Sequence, residues 1–149
     1  MRGPGTLTWW APAAVVFGAV LLLGVPQVAR AQNDLDEAIE AARLAWVAHQ
    51  VAELLSGSDT VRLQLPGVAE AASVRPGQAT LLLDSYLSRS TEVSLSLRGV
   101  RRLAADHAYA ELTRVFTVRG TSERRSETVF LGFRELGGVW RLREVRVTP

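Results

Sequence analysis

Cysteine is absent from this 149-residue chain, and so is lysine; all seventeen basic side chains are arginine. Without cysteine, neither a disulfide nor a lipid anchor on an N-terminal cysteine can form. An exported protein of this composition must hold together by its core alone. Histidine occurs twice, as His49 and His107, with no H-x-x-x-H pair, cysteine pair or acidic cluster beside them. A metal site therefore lacks ligands, and no cofactor is expected. No glycine-rich phosphate loop is present, because Gly137-Gly138 reads as a hairpin turn. Internal repeats, low-complexity tracts and linkers are missing as well.

What is there begins with a leader. Arg2 and the terminal amine make a positive start, Ala13 to Val25 is one apolar run, and Pro26 breaks it. Ala29, Arg30 and Ala31 then place small residues where a signal peptidase reads them. Residues 1–31 are expected to be a signal peptide removed near Ala31, leaving Gln32 first and the protein periplasmic or extracellular. An uncleaved anchor is the alternative, although the run falls short of the roughly 20 residues of a span. The membrane would be met through this segment alone. Removing 31 residues from 149 leaves 118, enough for a single domain at 32–149. Arg2 and Arg30 leave with the leader, so fifteen arginines face fifteen acids. A balanced, exported chain makes a poor nucleic-acid binder, and none is expected.

From Asp34 the apolar spacing is helical. Leu35, Ala38, Ile39, Ala42 and Trp46 mark one stripe; Leu44, Val47, Val51, Leu54 and Leu55 mark another, out of phase. One straight helix cannot aim both at one core, which predicts a bend or two abutting helices near Arg43 to Trp46. Gly57 suits the stop. Val61, Leu63 and Leu65 alternate as a short strand ended by Pro66-Gly67, and a polar, alanine-rich loop follows. Arg75 to Ser88 restarts a helix, with Pro76 in its first turn and Gln78 placed to reach back to the cap. After Ser90 the chain reads as four long antiparallel strands, with a bulge at Gly99 and turns near Asp106, Gly120-Thr121 and Gly137-Gly138. Two helices, a strand, a helix and four strands predict an α+β domain, a curved antiparallel sheet packed on N-terminal helices.

The residues Val61, Leu63, Leu65, Pro66 and Gly67, then Gln78 and Ala79, carry a resemblance. Tyr109-Ala110, Phe130-Leu131 and the closing Trp140, Leu142, Glu144, Val145, Arg146 and Val147 complete it. The pattern resembles the nuclear-transport-factor-2-like cone, a cystatin-like fold, and the secreted bacterial domain-of-unknown-function family 4783. It departs from that family in lacking a Gly-Asn break in the first helical region and in having Arg75 where a Ser cap is common. The family brings no agreed catalytic residues. Some enzymes on this fold, the resemblance implies, place an acid and a tyrosine in the pocket between helices and sheet.

Two-residue turns at Gly137-Gly138 and Gly120-Thr121 set a register. Leu136 then pairs with Val139, Phe133 with Leu142, Leu131 with Glu144, and Ala108, Ala110 and Leu112 with Phe133, Leu131 and Val129. The pocket under the helices would be lined by Trp46, Tyr86, Leu131, Phe133 and Trp140. Glu144 would follow Trp140 and Leu142 inward and is the one candidate catalytic residue. Buried there it would act as a general base; at the sheet edge it would pair with an arginine. Asp106 and His107 are adjacent turn residues that point apart rather than a catalytic pair.

Arg134, Arg141 and Arg143 would project from the other face, Arg143 over Tyr109, beside Val115, Phe130, Val145 and Val147. Phe130, Val145, Arg141 and Arg143 thus mark an outer-face interaction surface, and a homodimer through it is expected. The alternative is a bulge near Glu144 that turns Val145 and Val147 back into the core. Three functions stay open: an exported, non-catalytic module for a small ligand or a protein partner, a small enzyme using Glu144, or an autonomous homodimer.

Overall fold

The computed structural model describes residues 27–149. Most of the expected leader, residues 1–26, lies outside the described residues. Helix α1 runs Gln27–Val47, so a cleavage after Ala31 would fall within its first turns. Helix α2 is Val51–Leu54, α3 is Pro76–Leu87, and the strands are β1 Val61–Leu65, β2 Ala69–Val74, β3 Ser90–Ala104, β4 His107–Val118, β5 Arg124–Leu136 and β6 Val139–Thr148. They form one six-stranded sheet in the order β2-β1-β6-β5-β4-β3. Only β1 and β6 run parallel; every other pair is antiparallel. The helices cover one face, where Leu35, Ile39, Trp46, Leu83 and Leu87 meet Leu63, Ala110, Leu131 and Phe133 in a continuous core.

The helix break falls at residues 48–50, later than Arg43 to Trp46. The His49 amide bonds to the Trp46 carbonyl at 3.0 Å and the Gln50 amide to the Ala45 carbonyl at 2.8 Å. With His49 left-handed at φ 55°, this is a Schellman stop with histidine where glycine is usual. It reconciles the two stripes: Leu35, Ile39, Ala42 and Trp46 are buried from α1, Val51, Leu54 and Leu55 from beyond the break. Leu44 and Val47 face solvent. Pro76 opens α3, but Arg75 is a cap without a side-chain bond, so Gln78 does not close a capping box.

The alanine-rich loop is in fact β2. Its sequence has weak strand propensity. It pairs along β1, Val61 with Val74 and Leu63 with Ala72, because the Pro66-Gly67 turn folds it onto that edge. Gly67 takes φ 68° there.

Both turn-derived registers hold over most of their length. Ala108, Ala110 and Leu112 pair with Phe133, Leu131 and Val129, and Leu136 pairs with Val139, Glu135 with Trp140, Phe133 with Leu142. The register then slips by one residue. Gly132 pairs with Glu144 and Leu131 with Val145, leaving Arg143 as an extra residue in β6. Leu142 and Val145, an odd spacing apart, can therefore both face the helices, and Val145 and Val147 are buried. At the far edge β3 carries three register shifts, and every residue from Ser96 to Ala104 is exposed. Bulges and Arg98, Arg101 and Arg102 blunt this long edge against pairing with another strand.

Candidate functional site

Strand alternation that turns Ala108, Ala110 and Leu112 inward turns Arg114 inward two residues later. Its side chain is 1% exposed. Nε and Nη2 grip Glu92, with bonds of 3.0 Å and 2.5 Å to its carboxylate, and Nη2 also reaches the Ser90 hydroxyl. Nη1 donates to Glu127 at 2.9 Å and to the Tyr86 oxygen at 3.2 Å, while the Tyr86 hydroxyl donates to Glu127 Oε2 at 2.5 Å. The guanidinium lies 4.1 Å from the centre of the Phe116 ring, with Tyr86 and Trp46 at 5.2 Å and 5.7 Å. Burial opposes the charge on Arg114, but the bonds and field of Glu92 outweigh it and hold its pKa above the ordinary value. Burial, then the bond to Glu127, pushes the Tyr86 phenol up as well. His49 Nε2 approaches Glu92 at 3.4 Å from the rim. The acid and tyrosine that meet inside are thus Glu127 and Tyr86, tied together by an arginine. Nearby, the Trp46 indole N–H is buried without an acceptor.

The five expected pocket residues are all buried, yet they do not line one pocket. Tyr86 borders a cavity of about 250 Å³ with Arg114, Phe116 and Glu127. Phe133 and Trp140 border another, of about 260 Å³, with Ala38, Ala42 and Leu54. Trp46 and Leu131 are packed into the core at 0% exposure.

Glu144 is not inside. The extra residue at Arg143 turns it to the outer face, where it lies across from Gly132 and accepts the Tyr109 hydroxyl at 2.5 Å. Burial, then this bond, raises the Tyr109 pKa. Gly132 makes the contact possible: a Cβ there would stand 2.8 Å from the Tyr109 ring and 3.0 Å from Glu144 Cβ. Glu144 thereby takes the place expected for Arg143, whose Nη1 instead approaches Asp59 at 3.6 Å. Arg134 and Arg141 do face each other as expected, but their heads diverge, Arg134 to Asp106 at 3.4 Å and Arg141 against Gly57. Asp106 accordingly serves Arg134 and not His107.

The expected outer patch loses Val145 and Val147 to the core; Val115 and Phe130 remain half-buried on the face. Arg146, opposite Phe130, stacks on that ring at 4.3 Å. The same face holds a groove of about 470 Å³ lined by Gly99, Arg101, Leu103, Tyr109, Phe130 and Arg146, with Val100 and Glu111 at its side. Among the described residues no group of His, Cys, Asp or Glu could hold a metal, and no helix is long and apolar enough to cross a membrane.

This arrangement is that of the nuclear-transport-factor-2-like fold, an α+β sheet with its helices on one face. A domain-of-unknown-function family 4783 protein from Bacteroides ovatus is 13% identical, at a TM-score of 0.60 over 72% of this chain and 90% of that one. A ketosteroid isomerase-like protein from Erwinia carotovora atroseptica gives 16% and 0.65 over 78% and 96%. A hexachlorocyclohexane dehydrochlorinase from Novosphingobium barchaimii gives 11% and 0.62 over 81% and 87%. Similarity at these identities establishes the fold alone, and the fold is shared by proteins of unknown function and by enzymes. No family model and no curated protein matches the chain.

Proposed function

We propose that the chain is an exported, non-catalytic binding module that takes its partner on the outer face of the sheet. One observation carries the reading. The groove of about 470 Å³ on that face falls in the range of small-ligand sites, roughly 300–1,000 Å³, whereas the two cavities under the helices, at about 250 and 260 Å³, fall below it. The inner polar groups are also spent on one another, since the Arg114 guanidinium already joins Glu92, Glu127, Tyr86 and Ser90. An enzyme using Glu144 in an interior pocket has less support, because that carboxylate is outside and engaged by Tyr109.

A homodimer through the same face is the competing use. Its apolar basis is now Val115 and Phe130, supplemented by Arg62, Arg146, Glu111 and Glu144 interleaved on one surface. Fragment screening by NMR separates the readings: hits are expected to shift Tyr109, Phe130 and Arg146 and leave Tyr86 and Phe116 unmoved. Hits confined to the Tyr86 cavity would overturn the proposal. Light scattering on the mature domain and on Phe130→Glu reports the dimer, which should dissociate in the variant if this face forms it.

A further inference from the structure

We infer that the outer groove selects an amphipathic carboxylate, a small molecule with an apolar body and one anionic head, gripped by Arg146 and Arg101. This rests on the groove being the binding surface, as proposed above, and adds the chemistry of what enters it. Two arginines line the groove, and among the described residues neither forms an ion pair with a carboxylate. Arg146 Nε is buried without a hydrogen-bond acceptor. That buried edge is closed to the groove, so an incoming carboxylate would meet the guanidinium through its Nη groups, accepting charge-assisted bonds from them.

The nearby acids do not already fill this role. Glu144 receives the Tyr109 hydroxyl, and Glu111 stands at the groove wall unpaired with either arginine. The rest of the lining is suited to an apolar body. Phe130 already offers one face to the Arg146 guanidinium at 4.3 Å, which fixes the head of that side chain over the ring. Leu103, 55% exposed, flanks it from the edge strand. An anionic head over Arg146 would place its apolar tail along Phe130 and Leu103. The register makes this grouping possible: Arg101 pairs with Tyr109 and Phe130 with both Glu111 and Arg146, so four strands contribute to one surface.

The test compares 4-phenylbutyrate with 4-phenylbutan-1-ol, equal in their apolar part and different in charge. Titrations on the 32–149 domain at low salt are followed by calorimetry and by NMR shifts of Phe130 and Leu103. The carboxylate is expected to bind about tenfold more tightly than the alcohol, with the preference shrinking as salt is added. Arg146→Gln should remove most of that preference, and Glu111→Gln should widen it by withdrawing a like charge. Arg101→Gln, at an exposed position, provides a second variant should Arg146→Gln lower the urea midpoint. Equal binding of the two probes would overturn the carboxylate selectivity and leave the groove as the binding surface. Failure of both probes to shift Phe130 and Leu103 would overturn the groove itself. A preference untouched in both arginine variants would place the anion site elsewhere and sink the inference.

Discussion

Arg114 and Glu127 are direct partners across β4 and β5 on the helix-facing side, joined at 2.9 Å with the Tyr86 and Phe116 rings beside the guanidinium. Glu92 holds the other edge of the same guanidinium at 3% exposure. Removing the arginine would strand two carboxylates beneath the helices. Arg114→Met is expected to destabilise the domain by about 3–5 kcal/mol, since breaking a buried pair from one side leaves uncompensated charge. Urea denaturation measures this; a cost under about 1 kcal/mol would mean that water reaches the cluster.

The outer face offers a steric counterpart. Gly132→Ala should cost about 1–3 kcal/mol because its Cβ meets the Tyr109 ring at 2.8 Å. In the Tyr109→Ala background the same substitution should be nearly harmless. A double-mutant cycle reads the coupling, and additive effects would show that the ring is not the obstacle.

The only two tyrosines both have raised pKa values, Tyr86 and Tyr109, each chiefly through burial and then through a carboxylate neighbour. In the unfolded chain both ionise near pH 10. A folded pKa above the unfolded one leaves this stability intact below about pH 10 and withdraws it as the pH rises further. Phenolate absorbance should therefore lag behind that of a free tyrosine and emerge together with alkaline unfolding. A full phenolate step near pH 10 in the folded protein would contradict the carboxylate-bonded setting of both hydroxyls.

Trp140 packs beneath the helices at 6% exposure, with Arg102 over its ring at 5.3 Å. Trp140→Ala should cost about 3–5 kcal/mol through the cavity that it opens. Leu136→Ala, in the exposed turn of the same hairpin, should shift the midpoint by less than about 0.5 kcal/mol. Equal shifts would mean that the hairpin faces are assigned backwards.

Mass spectrometry of exported material is expected to find Gln32 as the first residue, because a short apolar run, a proline break and an A-x-A triplet precede it. A mature protein that keeps Trp9 and Trp10 would refute cleavage.

Much of the architecture was legible from the residues. Gly-Gly and Gly-Thr turns, read with period-two alternation, placed Phe133 opposite Leu142 and Ala110 opposite Leu131, because a short turn leaves a hairpin little choice of register. The same reasoning carried two residues further would have put Arg114 inside beside Glu127. The usual exposure of arginine argued against following it there. Strand β2 was hidden for a different reason: Ala69 to Val74 has little preference of its own and becomes a strand through the edge of β1.

By itself, then, the sequence determined the four closing strands, their turns and the apolar face up to Leu142, all set by local spacing over a few residues. Tertiary structure decided the fate of Glu144, Val145 and Arg143. Leu142 and Val145 lie three residues apart, and strict alternation cannot bury both. Only the assembled core, with helices to fill on one side and Gly132 open to Tyr109 on the other, makes one extra residue in β6 cost less than leaving Val145 and Val147 in water.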